Sequence, residues 1–470
     1  MPGPWSPLRV ALVLLAAAAI IGGALLHAKL VNIIETRLRE HCIDRSHRRS
    51  RNNIHGYPAA DVQPDNVTGA TCTPQLSVCF LKTHKCASSS IQNIMLRFGD
   101  GHDLSFVLPP ASNYLGHPAP FHRSMAPTLA NTSGYFDLLV HHARFNEAEM
   151  RHVLAPGAKF VTIVREPAEL FESLYSYYDL VKQFRVPHTR ADRHTVLRAW
   201  ARQRLAGKQL GAVADSPPSA DTRGWYRTKV SLERLTSSNV SMAWVRQRLA
   251  RKPRDKLGLN QMSFDLGLHP SQFNDLNAVQ NFIRRIDSAF DLVLVAERIR
   301  ESLVLLKDLL CWTTDDVVTF RHNSRAAPFR NLLTAHGRAR LRELNAADTF
   351  LYDHFAKRLD ERIRQFGLER MQREVKRLDE RTKFWYSRCV SGVQPVRHLI
   401  KQIKGVSKQN RRYWTNAKVV GFQARDSRST ECHRYLTLEL VFTDEIRKRQ
   451  EQVLQTKRPA VGSRKNSNGR

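Results

Sequence analysis

The sequence predicts an α/β fold, a central and mostly parallel sheet flanked by helices. Four short apolar runs carry that reading: Leu76–Leu81 (LSVCFL), Phe136–Val140 (FDLLV), Lys159–Val164 (KFVTIV) and Phe290–Val295 (FDLVLV). Each is β-branched or aromatic, the pattern of strands covered on both faces. Helical patterns separate or follow the runs, as parallel strands require of their crossovers. The chain is 470 residues long and 42% hydrophobic, enough for a sizeable core, which excludes a wholly disordered protein. Its net charge of +31 makes an anionic partner the first question without choosing among nucleic acid, headgroups, acidic glycans and nucleotides.

From the amino terminus, a tail of residues 1–9 precedes an apolar segment at 10–34. Between Val10 and Leu26 every residue is apolar or glycine. Seventeen residues at about 1.5 Å each span roughly 26 Å, just enough for a thin bilayer. A cleaved signal peptide is the competing reading, but its apolar core is usually only about 7–15 residues. The segment is therefore expected to be one transmembrane signal-anchor. Charge counting would leave the bulk of the chain in the cytosol, because Arg9 precedes the span while Lys29, Arg37, Arg39, Arg45 and Arg48 follow it. The glycan-acceptor triplets at Asn66, Asn131 and Asn239 argue for the opposite side, though chance alone could supply three.

Residues 35–75 are polar and read as a stem, and the globular pattern occupies 76–360. Within it, 185–260 is rich in Arg, Ser and Pro and reads as an insertion. Residues 361–458 form a strongly basic helical extension expected to pack on the domain, and 459–470 a disordered tail. The seven cysteines (42, 72, 79, 86, 311, 389 and 432) show no zinc-type pairing or dense disulfide framework. Adjacent His141 and His142 lack the spacing of a helical metal pair, so no metal site is expected.

Ligands of open α/β sheets bind beyond the carboxyl ends of the strands. The four runs deliver Lys82-Thr-His-Lys85, His141-His142-Ala-Arg144, Arg165-Glu-Pro and Ala296-Glu297-Arg298 to those ends. Lys82-Thr83-His84-Lys85-Cys86-Ala87-Ser88-Ser89-Ser90 stands between a strand and a helix at Ile91–Phe98. There its amides and the positive helix end would face a phosphate. It is not a Walker A loop, since that glycine spacing is missing. After the third run, Pro167 and Glu169 suit a first helical turn. Arg165 and Ser173 could both reach a second phosphate.

A Lys-Thr-His-Lys-x-x-Ser-Ser loop followed by Arg-x-Pro-x-x-x-x-x-Ser resembles the two nucleotide motifs of Golgi carbohydrate sulfotransferases. The galactose 3-O-sulfotransferases, galactosylceramide sulfotransferase among them, are the closer resemblance. It is carried further by HHARFN from His141, FDLGL from Phe264, LVAERIRESLVLLKDLLCW from Leu294 and DTFLYDHF from Asp348. Cys86 and His141 depart from the expected pattern.

The resemblance implies a P-loop-like sulfotransferase domain, anchored type II in the Golgi membrane with its enzyme lumenal. It implies transfer of a sulfonate group from 3′-phosphoadenosine 5′-phosphosulfate to the 3-hydroxyl of a terminal galactose on a glycolipid or glycoprotein glycan. The first motif, Lys82 to Ser90, would hold the phosphosulfate, and Arg165 with Ser173 the 3′-phosphate. His84 is then the expected general base, with Lys82 and Lys85 stabilising sulfonate and leaving group. His142 would orient the acceptor or serve as base instead. Arg144 and Glu297 are further acceptor-site candidates, with a structural salt bridge the rival reading for Glu297. No obligatory metal and no nucleic-acid partner are expected, and a homodimer is compatible with the sequence without being decided by it. Transfer to another glycan hydroxyl and noncatalytic binding of acidic glycan are the alternatives. A nucleotide kinase would need a Walker A loop and a magnesium-holding carboxylate.

Overall fold

A computed structural model describes residues 72–126, 134–178, 258–322, 332–403 and 419–456, with Leu180, Arg325 and most of 232–250. The chain divides into two compact units, Met1–Thr71 and Cys72–Arg470. The expected tail, anchor, most of the stem, the three acceptor asparagines, much of 185–260 and the carboxyl-terminal tail lie outside the described residues. Among the described residues no helix is long and apolar enough to cross a membrane.

The central sheet has four strands, β1 (Val78–Leu81), β3 (Leu138–Leu139), β5 (Lys159–Val164) and β6 (Leu292–Val295), in the order β3-β1-β5-β6. All three pairings are parallel. Every residue of β1 and β6 is buried, as the unbroken apolar runs require. The second run is paired only at Leu138 and Leu139, because it lies at the sheet edge and Phe136 bridges Leu154 instead.

Beside this sheet, β2 (Tyr114–Pro120) lies parallel to β4 (His142–Arg144). His142–Arg144, expected from the sequence to be a strand-end loop, is itself a strand. The segment extends because Tyr114–Pro120, whose Gly and Pro residues read as turn formers, runs alongside it.

Helices cover the sheet. α1 (Ser88–Gly101) follows β1 and buries Ile91, Ile94, Met95 and Phe98. α2 (Pro167–Tyr177) follows β5 with Pro at its start, and the Glu166 side chain accepts from the amide of Glu169. Farther on come α3 (Gln261–Asp265), α4 (Ile299–Leu310), α5 (Ala346–Phe366) and α6 (Leu368–Cys389). Trp312, just past α4, stacks on Phe98 at 3.7 Å and donates to Gln75 O at 3.0 Å.

After α6 a two-stranded antiparallel sheet of β7 (Val390–Pro395) and β8 (Val420–Ala424) precedes the last helix, α7 (Glu439–Thr456). Disulfides join Cys72 to Cys311 and Cys389 to Cys432, while Cys79 and Cys86 are free and buried.

Candidate active site

The β1–α1 loop is shaped by its own hydrogen bonds. Thr83 Oγ1 donates to Ile163 O at 2.7 Å, Ser88 Oγ to Thr83 O at 2.6 Å and Ser90 Oγ to Phe320 O at 3.0 Å. These hydroxyl protons, expected from the sequence to serve a phosphate, are engaged by backbone. The loop instead presents amides. Lys85 (φ 57°) and Ala87 (φ 61°) are left-handed without being glycine, at a cost of about 1–3 kcal/mol each. That alternation curls the backbone into a concave nest opening on the positive end of α1. Cys86 is fully buried with its thiol on His84 O at 3.3 Å, so its position in the loop is a packing position.

The loop borders a cavity of about 1110 Å³ lined by His84, Lys85, Ala87, Ser88, Ser89 and Ser90. Arg165, Ser173, His142 and Glu297 join that lining, so the separate sequence motifs converge on one space. Arg165 also clamps the loop by donating from Nη1 to Lys85 O at 2.8 Å.

The cations divide by environment. Lys82 is 1% exposed and donates to Gln92 Oε1 at 2.7 Å and Glu439 Oε2 at 2.8 Å. Burial lowers its pKa, and Glu439 offsets this only in part. Lys85 faces the cavity over the Tyr177 ring, 3.6 Å from its centroid, and burial followed by Arg325 and other cations pushes its pKa down to about 7. Such a lysine gains most from an incoming anion.

Arg144 does not line the cavity. Its guanidinium donates to Phe264 O at 3.1 Å and Leu268 O at 3.1 Å and packs over the Phe264 ring, which ties β4 to the FDLGL turn. The Glu297 carboxylate accepts from the Glu166 amide at 3.2 Å, and burial raises its pKa.

His84 is the centre of a buried cluster. Its ring stacks on His142 at 4.2 Å, with His117 at 4.8 Å and Tyr114 at 5.8 Å. Asp265 holds it twice, accepting from the His84 amide at 2.7 Å and from Nδ1 at 2.8 Å. That bond assigns the proton to Nδ1 and leaves Nε2, which is buried and has no hydrogen-bond partner, with a free lone pair. Burial lowers the His84 pKa more than Asp265 raises it, so the ring is neutral at neutral pH. Burial would raise Asp265, but His84 and His117 hold it well below the usual carboxylate range.

His142 donates from Nδ1 to Lys82 O at 2.8 Å, and burial keeps its pKa well below the ordinary value. His141 faces away, bonded to Thr443 Oγ1 at 3.1 Å.

Asp265 has its own support. The Asp348 carboxylate on α5 accepts from the amides of Met262 and Ser263 at 3.1 and 2.8 Å, capping α3. Gly267, at φ +97°, turns the chain where a Cβ would lie 2.9 Å from Phe145 O. FDLGL and DTFLYDHF thus form one brace that delivers Asp265 to His84. Asp265, His117 and Glu439 were not named by sequence reasoning; only Asp265 had a signal, inside a quoted motif.

The family model for galactose-3-O-sulfotransferases matches residues 25–203 and 250–450. The chain belongs to the galactose-3-O-sulfotransferase family. It is 32% identical over 343 residues to bovine (Bos taurus) galactosylceramide sulfotransferase, covering 72% of this chain and 70% of that protein. The mouse (Mus musculus) galactosylceramide sulfotransferase is 30% identical over 387 residues, 82% of this chain and 81% of the relative. Human (Homo sapiens) galactose-3-O-sulfotransferase 4 is 32% identical over 425 residues, covering 80% and 83%. As a member of this sulfotransferase family the chain is an enzyme, and its convergent motifs are the family's resemblance in three dimensions.

Proposed function

We propose that this enzyme transfers sulfonate from 3′-phosphoadenosine 5′-phosphosulfate to the 3-hydroxyl of a terminal galactose on a glycolipid or glycoprotein glycan. The observation that carries the reading is His84, fixed at Nδ1 by Asp265 with its partnerless Nε2 at a cavity that also gathers Lys85, Arg165 and Ser173. The residues suit the donor. Backbone amides of the 85–89 nest and Lys85 fit a phosphosulfate, while Arg165 and Ser173 fit the 3′-phosphate. When bound, the donor supplies the sulfonate and a phosphate leaving group.

The chain's own contribution is positional and electrostatic. His84 Nε2 accepts the acceptor hydroxyl proton, and the resulting imidazolium is stabilised by Asp265. Lys85 offsets negative charge on the loop side, and His142 orients the acceptor. The parallel sheet with its β1–α1 anion loop supports a P-loop-like sulfotransferase core. Two disulfides support an oxidising compartment, in keeping with a Golgi lumenal domain behind a type II anchor at 10–34. Protease protection in sealed microsomes reads that topology.

The deciding assay supplies labelled donor with terminal β-galactosides on ceramide, lactose and glycoprotein cores, and determines the linkage of each product. Label at galactose O3 is expected; label elsewhere, or none with any β-galactoside, refutes the proposal.

Lys85 gives a pH signature. Its pKa near 7 means that the free loop loses its proton above that pH, whereas a bound anion favours the charged form. Affinity for adenosine 3′,5′-bisphosphate should therefore weaken as pH rises, by up to about tenfold per unit. In Lys85→Arg, which stays charged, calorimetric titration should show a flat profile. An equally steep decline there would remove Lys85 from the donor site.

A further inference from the structure

The proposed reaction uses His84 and Asp265 and leaves His117 without a task. His117 Nε2 is buried without a hydrogen-bond partner, 3.5 Å from Asp265 Oδ1. His84 Nδ1 lies 3.0 Å from that same oxygen. One ligand atom from each of His84, His117 and Asp265 can be chosen so that all three lie within 4.8 Å of one another.

Imidazole nitrogens and a carboxylate are ligands of a borderline dication such as zinc. With bonds of about 2.0–2.1 Å, neighbouring ligands of a tetrahedral zinc stand roughly 3.4 Å apart. The two edges through Asp265 Oδ1, 3.0 and 3.5 Å, are already near that spacing. Asp265 is anchored at both oxygens, Oδ2 by the His84 amide at 2.7 Å and Oδ1 by Gln261 Nε2 at 2.9 Å, and the second lone pair of Oδ1 can serve as the shared corner.

Neighbouring charges permit a cation. Lys82 is the nearby ammonium and is paired with Glu439; Arg144, which also interacts with the charge of Asp265, is engaged by backbone carbonyls and stacked on the Phe264 ring. The rings of His142, Tyr114 and Phe264 and the Gln261 amide also border the cluster.

We propose that His84, His117 and Asp265 form an inhibitory site for a zinc-like dication. The ion takes the Nδ1 lone pair of the other neutral tautomer of His84: the ring's single proton passes, by exchange with solvent, from Nδ1 to Nε2, and water completes the coordination. With the dication on Nδ1 and the proton on Nε2, the ring has no lone pair left to accept the hydroxyl proton, and Asp265 no longer stabilises an imidazolium. The inhibitory consequence rests on His84 being the base; binding itself does not.

The test uses the full-length, detergent-solubilised chain. Cobalt(II) should bind one per chain with the visible spectrum of a tetrahedral site, and zinc should displace it. His117→Ala should weaken cobalt binding by more than the roughly 10–100-fold that loss of an outer-shell partner costs. Zinc should raise the melting temperature of the native chain but not of His117→Gln, a second variant that keeps side-chain volume. Zinc should also lower turnover of the native chain. Absent one-to-one cobalt binding, undiminished binding in both His117 variants, or zinc-stimulated turnover would each overturn the proposal. The cobalt spectrum is independent of sulfonate transfer, so failure of the functional reading and failure of the metal site are separately visible.

Discussion

Replacing His84 with alanine is expected to lower kcat by about 10²–10⁴-fold, the usual worth of a positioned general base, while binding of adenosine 3′,5′-bisphosphate changes little. The split follows from the geometry. The amide of His84, which anchors the loop to Asp265, survives the substitution, whereas the imidazole that reaches the cavity does not. Asp265→Asn should cost about 10²-fold or more, because an amide can hold the wrong tautomer and stabilises imidazolium poorly. The pH profile supplies a second signature. A base must be neutral, and burial places the His84 pKa below 6.5, so at saturating donor kcat/KM for the sugar should carry its His84 limb on the acid side of that value. Asp265 raises the His84 pKa, so whatever activity remains in Asp265→Asn should keep its acid limb at lower pH.

His142 is the competing base. It lines the same cavity and stacks on His84, but its Nδ1 donates to a neutral backbone carbonyl, which stabilises an imidazolium far less than a carboxylate does. His142→Ala should therefore raise KM for the sugar more than it lowers kcat. Retained turnover in His84→Ala beside a collapse in His142→Ala would exchange the two roles.

How far the sequence reached can be judged on these residues. Buried parallel strands leave a local trace, an apolar run, and Lys159–Val164 was read with its observed bounds. The run at Phe136–Val140 was longer than its strand because edge pairing depends on the neighbour, which local pattern does not contain. β2 was hidden by Gly116, Pro118 and Pro120. At the site, residues within a strand-end motif were legible, since His84, Lys85, Arg165 and Ser173 all reach the cavity. Their roles were not. Lys82 and Lys85 stand three residues apart in one loop, yet one is sealed against a carboxylate and the other faces the cavity. That carboxylate comes from a helix 357 residues away, and no spacing rule spans such a distance.

Glu439 consequently carries the largest stability effect. Its carboxylate accepts from Lys82 at 2.8 Å and from Asn113 at 3.3 Å, and Gln92 bonds both Lys82 and Asn113 to close the network. Removing one partner of a buried ion pair strands the other charge, so Glu439→Ala should destabilise the chain by about 3–5 kcal/mol in urea denaturation. The paired replacement Lys82→Met with Glu439→Leu removes both charges and should recover a large part of that loss, because neither ion is then left buried alone. Burial alone would raise the Glu439 pKa, but Lys82 holds it below 4.5; the stabilisation is therefore complete above that value and fades as pH falls through the folded-state pKa. The gap between native chain and Glu439→Ala should narrow in acid accordingly. A Glu439→Ala chain as stable as the native one at neutral pH would show that Lys82 is solvated by other means, and the last helix would lose its assigned role in holding the β1–α1 loop.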